Sequence, residues 1–92
     1  MIKSFKHRPL KKLFERDVSV GIPSELCPKI KKILLFLDSM EVLEGANIPH
    51  WRLHRLKGNR KGQWAVDVSG NWRIVFRFVE GNVEDVDLTD YH

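Results

Sequence analysis

The sequence predicts an α+β fold, with two or so N-terminal helices packed on an antiparallel β-meander. Three observations carry this. Apolar residues recur at steps of three and four through the first half of the chain, and the period switches to two from Trp51 onward. Two glycine-containing turns, Ser69-Gly70-Asn71 and Glu80-Gly81-Asn82, punctuate the alternating half as hairpin connections would.

Taken in order, Ile2–Phe5 fits a short edge strand ahead of a basic stretch. Pro9 suits the first turn of a short helix carrying Leu10, Leu13 and Phe14. Residues 18–22 read as a loop closed by Gly21 and Pro23. Ser24 starts a second helix, with Pro28 in its first turn, where a missing N–H costs little. Leu26, Ile30, Ile33, Leu34, Leu37 and Met40 form its apolar stripe, and it is expected to run to about Leu43 and stop before Gly45. Leu35 and Phe36 lie off that stripe and leave a second face for the first helix or a partner protein.

In the second half, Trp64, Val66 and Val68 alternate with Ala65 and Asp67, and Trp72, Ile74, Phe76 and Phe78 with Arg73, Val75, Arg77 and Val79. A one-residue slip would reverse every side chain, so the register can be tested on paper. Centring one hairpin on Gly70 pairs Val68 with Trp72, Val66 with Ile74 and Trp64 with Phe76. Centring the next on Gly81 pairs Ile74 with Leu88 and Phe76 with Val86, and sets Arg77 opposite Asp85, with Asp87 diagonal to Arg73. A first strand pairs Leu53 with Val66 and Arg52 with Asp67, so that His54 points to the polar face with Arg73 and Arg77. The tail Asp90-Tyr91-His92 then falls beside Asn71-Trp72-Arg73.

A chain of 92 residues holds one modest core, so residues 1–92 are expected to form a single domain. Three tryptophans and five phenylalanines are incompatible with a disordered chain. A lone Cys27, expected to be buried and inert, excludes a disulfide framework and a cysteine-based zinc site, and suits a reducing cytoplasm. No apolar run approaches the roughly 20 residues needed to span a bilayer, and the start lacks the apolar block of a signal peptide, so a soluble cytoplasmic protein with no membrane contact is expected.

The net charge is +4, distributed unevenly. All sixteen Lys and Arg lie in residues 1–79 with seven acids, while residues 80–92 carry five acids and no base. Between Ala46 and Val66 there is no acid, and Arg52, Arg55, Lys57, Arg60 and Lys61 supply five positive charges. A polyanion, above all nucleic acid, is the natural partner of that stretch; a solvated basic loop is the bland alternative.

The polar face would gather His54, Arg73 and the tail, with Lys57 and Arg60 on an adjoining loop. A histidine at the last position, His92, is expected outside the core, where its ring can exchange protons near neutral pH. Such groups suffice to cleave RNA by its own 2′-hydroxyl. A base removes the hydroxyl proton, cations stabilise the phosphorane, and an acid protonates the departing 5′-oxygen, with no metal or other cofactor.

Other chemistries fit less well. Asp85 and Asp87 are expected to face arginines and to lie apart from Asp90, which disfavours a metal nuclease. His50 and His54 are spaced as a zinc pair would be on a helix, but fall at a strand entry. The serines lack a convergent His and carboxylate, and there is no glycine-rich phosphate loop.

Several segments together resemble the HigB toxins of the RelE superfamily: Ile2-Lys3-Ser4-Phe5, Leu53-His54-Arg55-Leu56-Lys57-Gly58, Gly70-Asn71-Trp72-Arg73-Ile74 with Phe76, and Asp90-Tyr91-His92. Arg55 stands where these proteins often have proline. The resemblance covers essentially the whole chain. It implies helices on a curved antiparallel sheet, and a bacterial toxin that enters the ribosomal A site and cleaves mRNA there. The site it implies is His54, Lys57, Arg73, Asp90, Tyr91 and His92, with Lys57, Arg60, Lys61, Asn71 and Arg73 contacting RNA. His92 or His54 would be the base, Arg73 and Lys57 would stabilise the phosphorane, Tyr91 would stack on or orient a base, and Asp90 would fix a histidine or assist proton transfer. The implied partners are mRNA on the 70S ribosome, its ribosomal RNA, and a HigA-like helix-turn-helix antitoxin. Basic residues away from that site (Lys3, Lys11, Lys12, Lys29, Lys31 and Lys32) would meet the ribosomal RNA. The rival readings are a gyrase poison of the ParE kind on the same fold and a non-catalytic nucleic-acid-binding module.

Overall fold

The computed structural model describes residues 1–42, 51–60 and 62–90. Two helices pack on one face of a four-stranded antiparallel sheet, in strand order β1-β2-β3-β4. The N-terminal segment lies along the β4 edge. Ile2 and Phe5 form isolated parallel bridges with Val83 and Val86, and Lys3 N–H donates to the Val83 carbonyl at 2.7 Å. The edge position is as the sequence implies, although only bridges form and not a continuous strand.

Helix α1 (Arg8–Arg16) starts where Pro9 fits the first turn, and the ring of His7 caps it by accepting the Leu10 N–H on Nδ1 at 3.3 Å. It ends at Asp17, whose left-handed conformation lets its N–H reach the Leu13 carbonyl at 3.1 Å. The Asp17 carboxylate pairs with Lys31 of the next helix. A 3-10 turn, Ser24–Leu26, leads into α2 (Cys27–Ser39), which buries Ile30, Ile33, Leu34 and Leu37. The helix stops short of the Leu43 that periodicity suggests. Met40 is extended, and its N–H bonds back to the Leu37 carbonyl at 3.3 Å, while the Ser39 hydroxyl donates to the Phe36 carbonyl at 2.9 Å. A hydroxyl competing for a last-turn carbonyl favours termination, and the turn keeps the Met40 side chain in the core. Leu43 and Gly45 lie outside the described residues. Cys27 is half-buried, not buried as expected, because its place at the first turn leaves it at the rim, 3.7 Å from the Pro23 carbonyl. Of the residues off the stripe, Phe36 packs edge-on against Trp51 and Leu35 is 65% exposed.

Strands β1 (His54–Arg55), β2 (Gln63–Asp67), β3 (Trp72–Val79) and β4 (Asn82–Asp90) form the meander. Between β2 and β3 the expected register holds, with Val66 opposite Ile74 and Trp64 opposite Phe76. Between β3 and β4 it holds only in the half away from the turn, where Ile74 faces Leu88. Nearer the turn, Arg77 faces Glu84 and not Asp85. The connection is a two-residue turn, Val79 facing Asn82, with positive φ at Glu80 and Gly81. That turn alone would put every β4 side chain on the wrong pleat. An irregularity on β4, where Asp85 has φ of 54°, inserts the extra residue that restores the pattern. The Arg77–Asp85 ion pair survives at 3.5 Å.

The helix-facing pleat of the sheet contributes Val66, Val68, Ile74, Phe76, Val83, Val86 and Leu88 to a core shared with Leu10, Leu13, Ile30, Ile33, Leu34, Leu37 and Met40. Trp64 and Trp72 pack against this core half-buried, as alternation requires. Arg55 lies over the Trp64 ring, 4.8 Å from its centre.

Candidate active site

The pleat facing away from the helices forms rows across the strands. One row holds His54, Ala65, Val75 and Asp87; the next holds Arg73 with Asp67 on one side and Thr89 on the other. The middle of this face is not polar throughout, since Leu56, Ala65 and Val75 form a small buried apolar cluster. That cluster stiffens the ground on which the polar groups stand. Gln63, opposite Arg77, buries its amide oxygen without a hydrogen-bond partner among the described residues.

His54 sits on the outer strand, half-buried, and its Nδ1 lies 2.6 Å from the Arg52 carbonyl oxygen. A carbonyl only accepts, so Nδ1 donates, and in the neutral ring Nε2 carries the lone pair. Arg73 is half-buried on the same face, two strands away and one row along. Strand spacing and rise put the two α-carbons about 12 Å apart.

The other expected residues distribute as follows. Lys57 is exposed three residues beyond His54, where β1 gives way to the 3-10 turn Gly58–Arg60. Asn71 is exposed in the β2–β3 turn, adjoining Arg73, with its N–H 3.4 Å from the Ser69 hydroxyl. Asp90 does not join the polar face as expected: two residues beyond Leu88 and opposite Trp72, it turns by alternation to the helix-facing pleat, where it is exposed. Lys61, Tyr91, His92 and His50 lie outside the described residues. Arg52 and Asp67 appear in the sequence only as a facing charge pair. Their bond is present, Arg52 Nε donating to Asp67 Oδ2 at 2.7 Å, but nothing in the pattern signals that the Arg52 carbonyl also engages His54. Among the described residues no three His, Cys, Asp or Glu side chains converge as a metal site would need. No helix among them is long and apolar enough to cross a membrane.

Solved structures share this arrangement of helices on one side of an antiparallel meander. A YoeB-YefM complex from Staphylococcus aureus matches with a TM-score of 0.63 at 17% identity, covering 100% of this chain and 98% of that one. A point mutant of YafQ from E. coli matches with a TM-score of 0.63 at 14% identity, covering 98% and 93%. The sequence narrows the class: residues 3–92 match the HigB-like toxin family, RelE-like toxins of type II toxin–antitoxin systems, and the chain belongs to that family. It is also 41% identical to Endoribonuclease HigB of Proteus vulgaris over 92 residues, the whole of both chains.

Proposed function

We propose that this HigB-like chain acts as an endoribonuclease on mRNA in the ribosomal A site, inhibiting translation, and that it needs no metal or other cofactor. The observation that carries this reading is His54, whose Nδ1 is committed to the Arg52 carbonyl, leaving Nε2 as a proton acceptor on the face that also holds Arg73. Family membership and the 41% identical endoribonuclease support the class of activity.

In this mechanism Nε2 of His54 takes the proton of a ribose 2′-hydroxyl. The 2′-oxygen bonds to phosphorus, and the bond from phosphorus to the 5′-oxygen breaks. Arg73 and Lys57 stabilise the charge of the phosphorane. His92, the second histidine, protonates the leaving 5′-oxygen, giving a 2′,3′-cyclic phosphate and a 5′-hydroxyl, while Tyr91 stacks on or orients a base. General acid–base help is worth about 10²–10⁴-fold, so the ribosome supplies the remainder by holding the message in place. Arg60, Lys61 and Asn71 are RNA contacts, and Lys3, Lys11, Lys12, Lys29, Lys31 and Lys32 meet ribosomal RNA. The partner that restrains the toxin is a HigA-like helix-turn-helix antitoxin, and the place of action is the cytoplasm of the cell that makes both. The whole chain works as one domain.

The test is to induce the chain alone in a bacterium and map mRNA 5′-ends while ribosomes run. Codon-phased cuts with 5′-hydroxyl ends, lost in His54→Ala, Tyr91→Ala and a chain lacking His92, are the expected outcome. Binding without cuts would favour a nucleic-acid-binding module, and DNA breaks with intact message a gyrase poison.

A further inference from the structure

Leu56 N–H donates to the Gln63 carbonyl at 2.9 Å, and His54 faces Ala65. Hydrogen-bonded pairs alternate along an antiparallel ladder, so the next such pair is Arg52 with Asp67, and in a regular ladder the Asp67 N–H would donate to the Arg52 carbonyl. It donates to Trp51 O at 2.7 Å. Arg52 has φ of 49°, so Trp51 and Arg52 together oppose the single residue Asp67. This is a β-bulge whose second residue, Arg52, is left-handed, a conformation that glycine adopts most readily. A non-glycine residue in that conformation is strained. Asp67 offsets the cost twice, through its N–H to Trp51 O and through its carboxylate to Arg52 Nε at 2.7 Å. The carbonyl thus released from the ladder is the one that receives His54 Nδ1 at 2.6 Å.

We propose that Arg52 and Asp67 are positioning residues that set the tautomer of His54: the bulge clamped by Asp67 turns the Arg52 carbonyl onto Nδ1 and thereby keeps the lone pair on Nε2. This deepens the reading of His54 as the base and rests on it. The side chain of Arg52 acts through its own backbone.

The test reads the ring directly. Imidazole nitrogen spectra of the full chain labelled with 15N-histidine, recorded at about pH 8, report which nitrogen bears hydrogen. A His54→Gln sample assigns the signal. The wild-type chain is expected to carry hydrogen on Nδ1 of His54. Arg52→Gly adopts the left-handed conformation freely and keeps that tautomer; Arg52→Lys keeps the ion pair and keeps it too. Arg52→Ala and Asp67→Ala give mixed tautomers, and their cleavage of ribosome-bound message falls about tenfold with KM little changed. Hydrogen on Nε2 in the wild-type chain overturns the proposal, as does an unchanged tautomer in both Arg52→Ala and Asp67→Ala. If the tautomers move as expected but His54→Gln cleaves as well as wild type, the positioning stands and the reading of His54 as the base falls.

Discussion

His7 and His54 both tie Nδ1 to the main chain, in opposite senses. His7 accepts the Leu10 N–H and so holds its hydrogen on Nε2, whereas His54 donates to a carbonyl and holds it on Nδ1. The difference has consequences for pH. Burial lowers the pKa of His7 below the ordinary imidazole value, against the opposing pull of Asp87. The folded chain therefore binds fewer protons than the unfolded one between those two values. The stability His7 contributes is complete above about pH 6.5, and falls with pH until the lowered folded value is passed. Protonation also puts hydrogen on the capping nitrogen and ends its role as acceptor. Melting temperatures measured between pH 8 and pH 5 are expected to drop on the acid side. His7→Asn, which can still cap, is expected to flatten that drop. His7→Ala should cost about 1 kcal/mol at pH 8 through loss of the cap.

At the level of elements, the β3–β4 hairpin is decided by its turn. Positive φ at both Glu80 and Gly81 is the signature of the two-residue connection whose twist matches the flanking strands. Glycine accepts that conformation without strain; glutamate does not, and asparagine is preferred to it at the first position. Glu80→Asn is expected to stabilise the chain by about 0.5 kcal/mol, raising Tm by roughly 2–4 °C in thermal unfolding. The compensating irregularity at Asp85 is held from the neighbouring segment, since Asp85 N–H donates to the Ser4 hydroxyl at 2.9 Å. Ser4→Ala should therefore destabilise the chain, by about 0.5–1.5 kcal/mol in denaturant titration. The N-terminal segment is thus part of the register and not an appendage.

For the molecule as a whole, one core of helix stripe and inner pleat carries the stability. Leu34 of α2 is fully buried in that core. Leu34→Ala is expected to cost about 2–5 kcal/mol by cavity formation, a large part of the roughly 5–14 kcal/mol available to a chain of this size. Charge is arranged on the same scale. The acids of β4 (Glu84, Asp85, Asp87 and Asp90) lie beside a segment carrying Lys3 and Lys6, while the exposed side of α1 presents Arg8, Lys11, Lys12 and Arg16. Ribosome association by the proposed route should weaken at least tenfold between 50 and 200 mM salt, as read by co-sedimentation. Its insensitivity to salt would argue against a phosphate-binding surface.

The sequence by itself determined the α+β class, the two helical stripes and the register of β2 against β3. Each rests on a local period that a packed face rewards, Val66 with Ile74 being the plainest case. It also determined that His54 and Arg73 share a face, because alternation leaves no other choice once Trp64 and Trp72 turn toward the core. Only the tertiary structure decided where α2 stops and how β3 meets β4 near the turn. It also decided which hydrogen-bonding sense His54 takes. Those features depend on single residues, Met40, Asp85 and Arg52, whose conformations are set by long-range partners and leave no periodic trace: core burial for the first, Ser4 for the second, and Asp67 for the third. A hydrophobic pattern records which side of a strand is buried. It cannot record a bulge, because one inserted residue changes the pleat without changing the composition that surrounds it.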